Sequence, residues 1–284
     1  MSLPVACVRL LRSSTLLTMR SDAVTLRDNW ALRRHVELTD PSDHFFYVSH
    51  RHYLVRGLTR RQRTQAALHH YAHEMEAFDE GYRARVYGGE GLRLWSCRVR
   101  DHAYELRLEP GHDVLYEGGL TVTLRIDGGR VAVMSFATVH PSSIGCTGDD
   151  PVLFVARNQR ASDHAYQSSF HAAFDRCTPA HFCLAGVAAI AKAQGIRAVY
   201  GARATSQVSF RPDRAATFEK AYGEFWYSAG GKVSGPSTVK IPVPLRLTPL
   251  ELMSTKSRRR AVRRRRHLDE IDDGARAQLS AHVR

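Results

Sequence analysis

Apolar positions recur along the chain with two different periods, and each change of period marks an element. Leu68, Tyr71, Ala72 and Met75 fall three or four residues apart, the spacing that lays one apolar stripe along a helix. Thr59 precedes that stretch and Gln62 stands three residues later, the pairing that closes a capping box at a helix start. From Leu92 the period drops to two, and residues 92–98 and 103–109 alternate as half-buried strands do. Residues 121–126 and 131–139 flank Asp127-Gly-Gly129, a hairpin turn because glycine reaches positive φ freely. Residues 152–156 are continuously apolar and predict a short buried strand, while residues 157–176 read as irregular.

Thr178-Pro179 predicts the next helix start, with threonine as the cap and proline in the first turn. That helix runs to Gln194 and stops at Gly195. Residues 196–200 form the following strand. Asp213 is placed to cap a further helix, on which Phe218, Tyr222 and Phe225 share a face as far as Gly230-Gly231. Residues 238–245 predict a last strand, and Pro242 and Pro244 argue for an edge or bulged position. Helices placed between strands, with a sheet built from hairpins, predict an α+β fold with a mostly antiparallel or mixed sheet and flanking helices. Residues 1–40 carry Trp30 as their only large anchor and determine little. Residues 41–53 are dense in aromatics and histidines and are expected to pack on the core. The expected organisation is an undetermined segment 1–40, an α+β domain 41–250, and a basic C-terminal helix or tail 251–284.

Composition changes this picture at one place. A chain of 284 residues, 43% hydrophobic and 24% charged, is an ordinary globular protein with a sizeable core. Its net charge of +13 is unusual, and eight of the basic residues lie between Lys256 and Arg266. On a helix, residues 258–266 would present cations nearly all round, which no core buries. Lys256, Arg258, Arg259, Arg260, Arg263, Arg264, Arg265 and Arg266 are therefore expected to meet an anionic partner, a lipid surface or RNA. No recognisable RNA- or DNA-binding motif accompanies them. Five scattered cysteines without a C-x-x-C pair suggest neither a zinc ribbon nor a disulfide framework, and fit a reducing cytoplasm. Cys183 falls in an apolar helix and is expected to pack. Arg9 and Arg12 interrupt the apolar stretch at residues 3–17, and no window of 18 uncharged apolar residues occurs, so neither a signal peptide nor a membrane span is expected.

Candidate chemistry lies in two places. In His69-His70-Tyr71-Ala72-His73-Glu74, His69 and His73 stand one helical turn apart, as do His70 and Glu74. Two histidines at that spacing can hold zinc, but the glutamate follows the last histidine and no third ligand is evident, so no metal is assigned. General acid or base work by His70 or His73 and a hydrogen-bonded structural role both remain open. Arg157-Asn-Gln-Arg160 follows the apolar strand, where Asn158 and Gln159 can orient an amide or carboxylate; plain strand-end solvation is the alternative.

The succession of hairpin, apolar strand, helix, strand, aromatic helix and final strand resembles the second half of GNAT-type acyltransferases, a layout shared by aminoacyl and toxin-activating acyltransferases. Acetyl-CoA users open the central helix with a glycine-rich loop that holds the pyrophosphate. Residues 159–179 contain no glycine, which argues against ordinary CoA binding, and the residues name no cofactor. For transfer chemistry the candidates are His70, His73, Gln159 and Ser206 as catalytic groups, with Asn158, Tyr200 and Arg203 binding the ligand. That expectation requires His70 or His73 to converge with Gln159 in one cleft.

Three segments resemble the VirK/YbjX family of bacterial proteins. The first is His52-Tyr-Leu54 with Arg61-Gln-Arg-Thr-Gln-Ala-Ala-Leu-His-His-Tyr71, similar to an early block ending in a His-Tyr pair. The second runs from Cys177 to Tyr200, and the third from Phe225-Trp226 to Lys256-Ser-Arg-Arg-Arg260, before a basic tail. Their order and spacing, over residues 44–271, carry the likeness. The chain departs from the family at Gln159-Arg160, where a Gln-Gly pair is usual, and at Arg176-Cys-Thr-Pro179, where Leu-Arg-Pro is usual. The resemblance implies a cytoplasmic factor, with any membrane contact at the inner-membrane surface, serving envelope integrity, antimicrobial-peptide resistance or virulence. A transferase acting on an envelope component and an adaptor using its basic tail are the two mechanistic alternatives.

Overall fold

The computed structural model describes residues 20–29, 53–111, 117–160, 164–175 and 177–284. Trp30, the aromatic stretch at 41–52, Cys7 and the segment holding Arg9 and Arg12 lie outside the described residues.

In chain order the elements are α1 (Arg20–Asp28), α2 (Arg60–Ala77), α3 (Glu80–Tyr87), β1 (Leu92–Val99), β2 (His102–Pro110), β3 (Leu120–Ile126), β4 (Gly129–Val139) and β5 (Val152–Arg160). There follow α4 (His164–Ala173), α5 (Pro179–Ala193), β6 (Ala198–Ala202), α6, β7 (Lys232–Val233), β8 (Thr238–Pro242) and α7 (Thr255–Leu279). Helix α6 is composite: Ala215–Phe218 is α-helical, Glu219–Glu224 is π-helical and Phe225–Ser228 is α-helical again. The strands form one eight-stranded open sheet in the order β1-β2-β3-β4-β5-β6-β8-β7. Every neighbouring pair is antiparallel except β5 with β6, which run parallel on either side of the α4–α5 crossover. The chain is a mixed, mostly antiparallel α+β fold.

Local signals act as their chemistry dictates. The Gln62 N–H donates to Thr59 Oγ1 at 3.2 Å and the Thr59 N–H donates to Gln62 Oε1 at 2.9 Å, the reciprocal capping box that starts α2. Asp127 and Gly128 carry φ of 49° and 83°, the positive pair a two-residue hairpin turn requires between β3 and β4.

Four differences from the sequence reading have physical causes. The buried side of α2 carries Ala67, His70, Tyr71 and Glu74, whereas Ala72 is exposed and Met75 half-buried. Hydropathy misplaces this face because two of its members are polar and find partners inside. The stretch read as irregular contains the last four residues of β5 and all of α4, whose Phe170, with Phe174 just after the helix, packs edge-on against Tyr104 and beside Phe182. Asp213 does not cap α6; it lies in a 3-10 turn with its carboxylate on Arg211 at 2.9 Å. Strand β8 is interior, because the two-residue β7 pairs outside it and Pro242 occupies its final position.

Helix α5 is the centre of the molecule, buried along nearly its whole length. A Cβ on its Gly186 would sit 2.7 Å from Leu106 and 3.2 Å from Val122, so glycine lets the helix lie directly on β2 and β3. Helix α7 packs along α5 and β1, burying Ala261, Ile271, Ala275 and Leu279. A Cβ on Gly274 would come within 2.9 Å of the Leu94 carbonyl, which marks how closely α7 meets β1. The basic segment is thus the first half of a docked amphipathic helix, and not a rod with cations on all sides.

Candidate functional site

The sheet face turned away from α5 carries a belt of polar residues that is nevertheless buried. Glu109 of β2 stands opposite Thr121 of β3, Thr121 opposite Ser135 of β4, and Ser135 opposite Arg157 of β5. Directly opposed positions share a face, so these four side chains cross four strands in one row. Glu109, Thr121 and Ser135 are each buried, and the Arg157 side chain is 13% exposed. Along the row Thr121 Oγ1 lies 2.9 Å from Ser135 Oγ. At its β2 end Glu109 accepts from the Thr123 hydroxyl at 2.9 Å and from Arg125 Nη2 at 2.7 Å. At its β5 end Arg157 Nε lies 3.3 Å from Glu117 Oε2 and donates to Gln159 Oε1 at 2.8 Å. The other Glu117 oxygen accepts from Gln207 Nε2 at 2.6 Å.

A bulge places Arg157 in this row. Pairing passes from Ser135↔Arg157 to Phe136↔Val155, leaving Ala156 as an extra residue on β5. Val155 and Arg157 then lie on opposite faces, whereas regular alternation would put both on one. Parallel pairing with β6 stops at Val155↔Gly201, and beyond it the two strands part. Helix α6 fills the gap. The Asn158 N–H donates to the Tyr222 hydroxyl at 3.2 Å, Asn158 Nδ2 donates to the Ala221 carbonyl at 2.8 Å, and Trp226 Nε1 donates to the Ala202 carbonyl at 2.8 Å. The carboxyl ends of parallel strands, at a point where the sheet parts, are where open sheets present groups to ligands.

Burial raises the Glu117 pKa above the usual carboxylate range, against the opposing pull of Arg157 and the Gln207 hydrogen bond. Burial also pushes the Tyr222 hydroxyl well above its ordinary value, so it stays protonated. Gln207 touches both groups, since its amide also lies against the Tyr222 hydroxyl. A proton acceptor and a proton donor therefore share one amide at the carboxyl end of the parallel pair. A fold gains little from such a belt, because well-packed apolar residues in place of a buried ion pair are often neutral or stabilising.

The residues singled out from sequence distribute unevenly around this site. Gln159 reaches it as the partner of Arg157. Asn158 faces the other way and anchors α6. Ser206 and Arg203 lie in the turn after β6. The Ser206 carbonyl accepts from the Arg56 N–H at 2.8 Å and Arg203 Nη1 donates to the Pro236 carbonyl at 3.2 Å, so it is the next residue, Gln207, that reaches Glu117. Tyr200 is buried in β6 with the Lys240 ammonium 5.9 Å from its ring centre. His70 lies beside the β3 end of the row, packed on Gly119 so closely that a Cβ there would stand 2.1 Å from its ring, but away from Gln159. His70 Nδ1 accepts from the Thr138 N–H at 3.3 Å, and His73 Nε2 lies 2.6 Å from Gln194 Oε1. Thr138 pairs with Leu153 and Val133 with Gln159, five positions apart along β4, which is about 17 Å of strand. The convergence of His70 or His73 with Gln159 in one cleft is not formed. Sequence reasoning missed Glu109, Glu117 and Gln207 altogether, and the one available hint was a charged residue at an inward position of β2. Among the described residues no group of three or more His, Cys, Asp or Glu side chains is placed to hold a metal ion.

Glu74 is the buried acid of α2. It accepts from the Tyr82 hydroxyl at 3.0 Å and from the Tyr87 hydroxyl at 3.4 Å, while its Oε1 has no hydrogen-bond partner among the described residues. Burial lifts its pKa from 4.5 to about 7. The folded chain then holds a proton that the unfolded chain has released, so stability falls as pH rises from about 4.5 to 7 and is flat above. The loss is on the order of 3 kcal/mol. Glu74→Gln is expected to raise the unfolding free energy by about that amount at pH 8 and to change it little at pH 4, as measured by urea denaturation at both pH values.

The arginine run divides by partner. Arg263 pairs with Asp175 at 2.6 Å and Arg266 with Glu270 at 3.1 Å. Arg258 donates to the Leu250 carbonyl at 3.0 Å and Arg265 to the Thr248 carbonyl. Arg264 turns inward toward α5. Lys256, Arg259 and Arg260 make no hydrogen bond or ion pair among the described residues. Three cations rather than eight then stand ready for an anionic surface, at on the order of 1 kcal/mol each.

Compared with known proteins, residues 14–277 match the family described as "Protein of unknown function (DUF535)". No curated protein and no solved structure matches the chain significantly. Among the described residues no helix is long and apolar enough to cross a membrane.

Proposed function

The chain belongs to the DUF535 family, and from its buried belt we propose that it is an acyl or aminoacyl transferase acting on an envelope component. The observation that carries this reading is the meeting of Glu117 and Tyr222 at one amide, Gln207, where β5 and β6 part. Transfer from an ester or thioester needs one group to take a proton from the attacking amine or hydroxyl and another to give a proton to the leaving oxygen or sulfur. Glu117, with its raised pKa, suits the first task and the protonated Tyr222 hydroxyl the second. The acceptor's proton passes to Glu117, its nitrogen or oxygen bonds to the acyl carbon, and the leaving atom departs with the Tyr222 proton. The two side chains then exchange that proton through solvent and the cycle closes. Arg157, fixed between Glu117 and Gln159, can orient a carboxylate or phosphate of the substrate.

The glycine-free stretch at 159–179 favours a donor presented on a carrier protein or a tRNA over free CoA. The resemblance to VirK/YbjX proteins supports an envelope acceptor and a role in resistance to antimicrobial peptides. A GNAT-like core is part of this reading, supported by the bulge at Ala156 and the parted parallel strands. The adaptor reading retains less support, because it rests on Lys256, Arg259 and Arg260 alone.

The test is transfer of a labelled acyl group from acyl-carrier-protein thioester, and of a labelled aminoacyl group from aminoacyl-tRNA, to isolated envelope lipids. One donor is expected to label the lipids, and Glu117→Gln and Tyr222→Phe are each expected to lower the rate by about 100-fold or more at a temperature where circular dichroism shows each variant fully folded. Full activity in the Glu117→Gln chain, or no label from either donor, would overturn the proposal.

A further inference from the structure

A second site lies on the α5 side of the sheet, opposite the belt. Between the first turn of α5, the end of α6, the segment after β8 and the first half of α7 is a cavity of about 280 Å³. Its walls are apolar, formed chiefly by Leu245, Leu247 and Leu268, and its polar end is formed by Arg264, Arg265 and His181. No aspartate or glutamate lines it.

Among the described residues no carboxylate pairs directly with that end, and the acid nearest in charge, Asp175, is already paired with Arg263 at 2.6 Å. Arg264 makes no hydrogen bond or ion pair among the described residues, and its charge reaches the Cys177 thiol, the His181 ring and the Asp175 carboxylate. Arg160, at the end of β5, acts on His181 from another side. Burial first, and then these like charges, lower the His181 pKa to about 4, so the ring is neutral at physiological pH and bonded through Nδ1 to Thr178 Oγ1 at 2.7 Å. That bond occupies the hydroxyl that would otherwise cap α5, and no side chain caps this helix start. The positive end of the helix adds to the same field. Gathering like charges around an apolar hollow that no carboxylate lines costs free energy, and a bound anion lowers that cost.

We infer that this cavity binds a small amphipathic anion, a carboxylate-headed acyl chain of medium length. The head lies against Arg264, Arg265 and the first turn of α5, and the chain runs along Leu245, Leu247 and Leu268. At about 30 Å³ for each non-hydrogen atom, water's share of liquid volume, the cavity holds roughly ten such atoms, the size of octanoate. It is just below the usual range for small-molecule pockets, which argues against a larger occupant. The site is independent of the transferase reading, since the belt occupies the other face of the sheet.

Calorimetric titration of the full chain with octanoate tests it, with octan-1-ol, acetate and inorganic phosphate as controls. Octanoate is expected to bind saturably, one per chain, at least about tenfold more tightly than any control. Arg264→Gln is expected to weaken it by at least about tenfold at an unchanged melting temperature. Leu247→Trp, at a partly exposed wall position, fills the hollow and is expected to abolish binding. Absence of saturable octanoate binding, equal binding of acetate or phosphate, or wild-type affinity in the Arg264→Gln chain would overturn the inference.

Discussion

Truncating Trp226 to alanine is expected to remove about 4–6 kcal/mol of stability, a large part of what holds a domain of this kind together. The indole is fully buried, packs edge-on to Phe225 and Tyr222, and donates to the Ala202 carbonyl at 2.8 Å. It also rests on Gly201, where an added Cβ would lie 2.5 Å from the ring. Alanine would therefore leave a cavity and an unpaired carbonyl at the place where β5 and β6 part. Urea denaturation is the check: the midpoint should fall with an unchanged slope. Trp226→Phe keeps most of the packing and should cost about 1 kcal/mol for the lost hydrogen bond. A loss below about 1 kcal/mol in the alanine variant would mean that α6 does not seal the gap, contrary to the structure described.

Arg157→Met is expected to cost about 3–5 kcal/mol at pH 8, because it leaves the buried Glu117 carboxylate without its counter-charge. The cost should shrink in acid. Without Arg157 the Glu117 pKa rises further, so the folded chain keeps its proton where the unfolded chain has lost it. Stability is then retained below the unfolded carboxylate pKa and lost as pH rises through the folded one. Combining Arg157→Met with Glu117→Gln removes both charges and is expected to recover most of the loss. Denaturant melts of the two single variants and the double variant at pH 4 and pH 8 measure the coupling directly. Strictly additive losses would show that the two side chains do not act as a pair.

Much of the fold was legible because it depends on local rules. The Thr59–Gln62 capping box, the Asp127-Gly128 turn and the Thr178-Pro179 helix start each act through neighbours within a few residues. The site was not legible, because it depends on a single extra residue. The bulge at Ala156 turns Arg157 to the polar face, where it meets Glu117, and it is Gln207 rather than Ser206 that reaches the same carboxylate. No hydropathy pattern reveals such a bulge, and the partners it creates come from segments 40 and 50 residues away. The histidine cluster was conspicuous in sequence, yet His70 and His73 are engaged by Thr138 and Gln194 and neither reaches Gln159. The arginine run misled for a third reason: Ala261, Ile271 and Ala275 recur on one side of α7 but are small or sparse, so the buried side is hidden among the cations.

The most direct measurement of whether the belt is a functional site compares stability with biological activity in the Glu117→Gln/Arg157→Met double variant. The readout is survival of a deletion strain under a cationic antimicrobial peptide, with the variant supplied in place of the wild-type chain. A double variant that folds as stably as wild type yet fails to restore survival is the expected result. Full restoration by that same folded variant would contradict it, and would reduce the belt to a structural element.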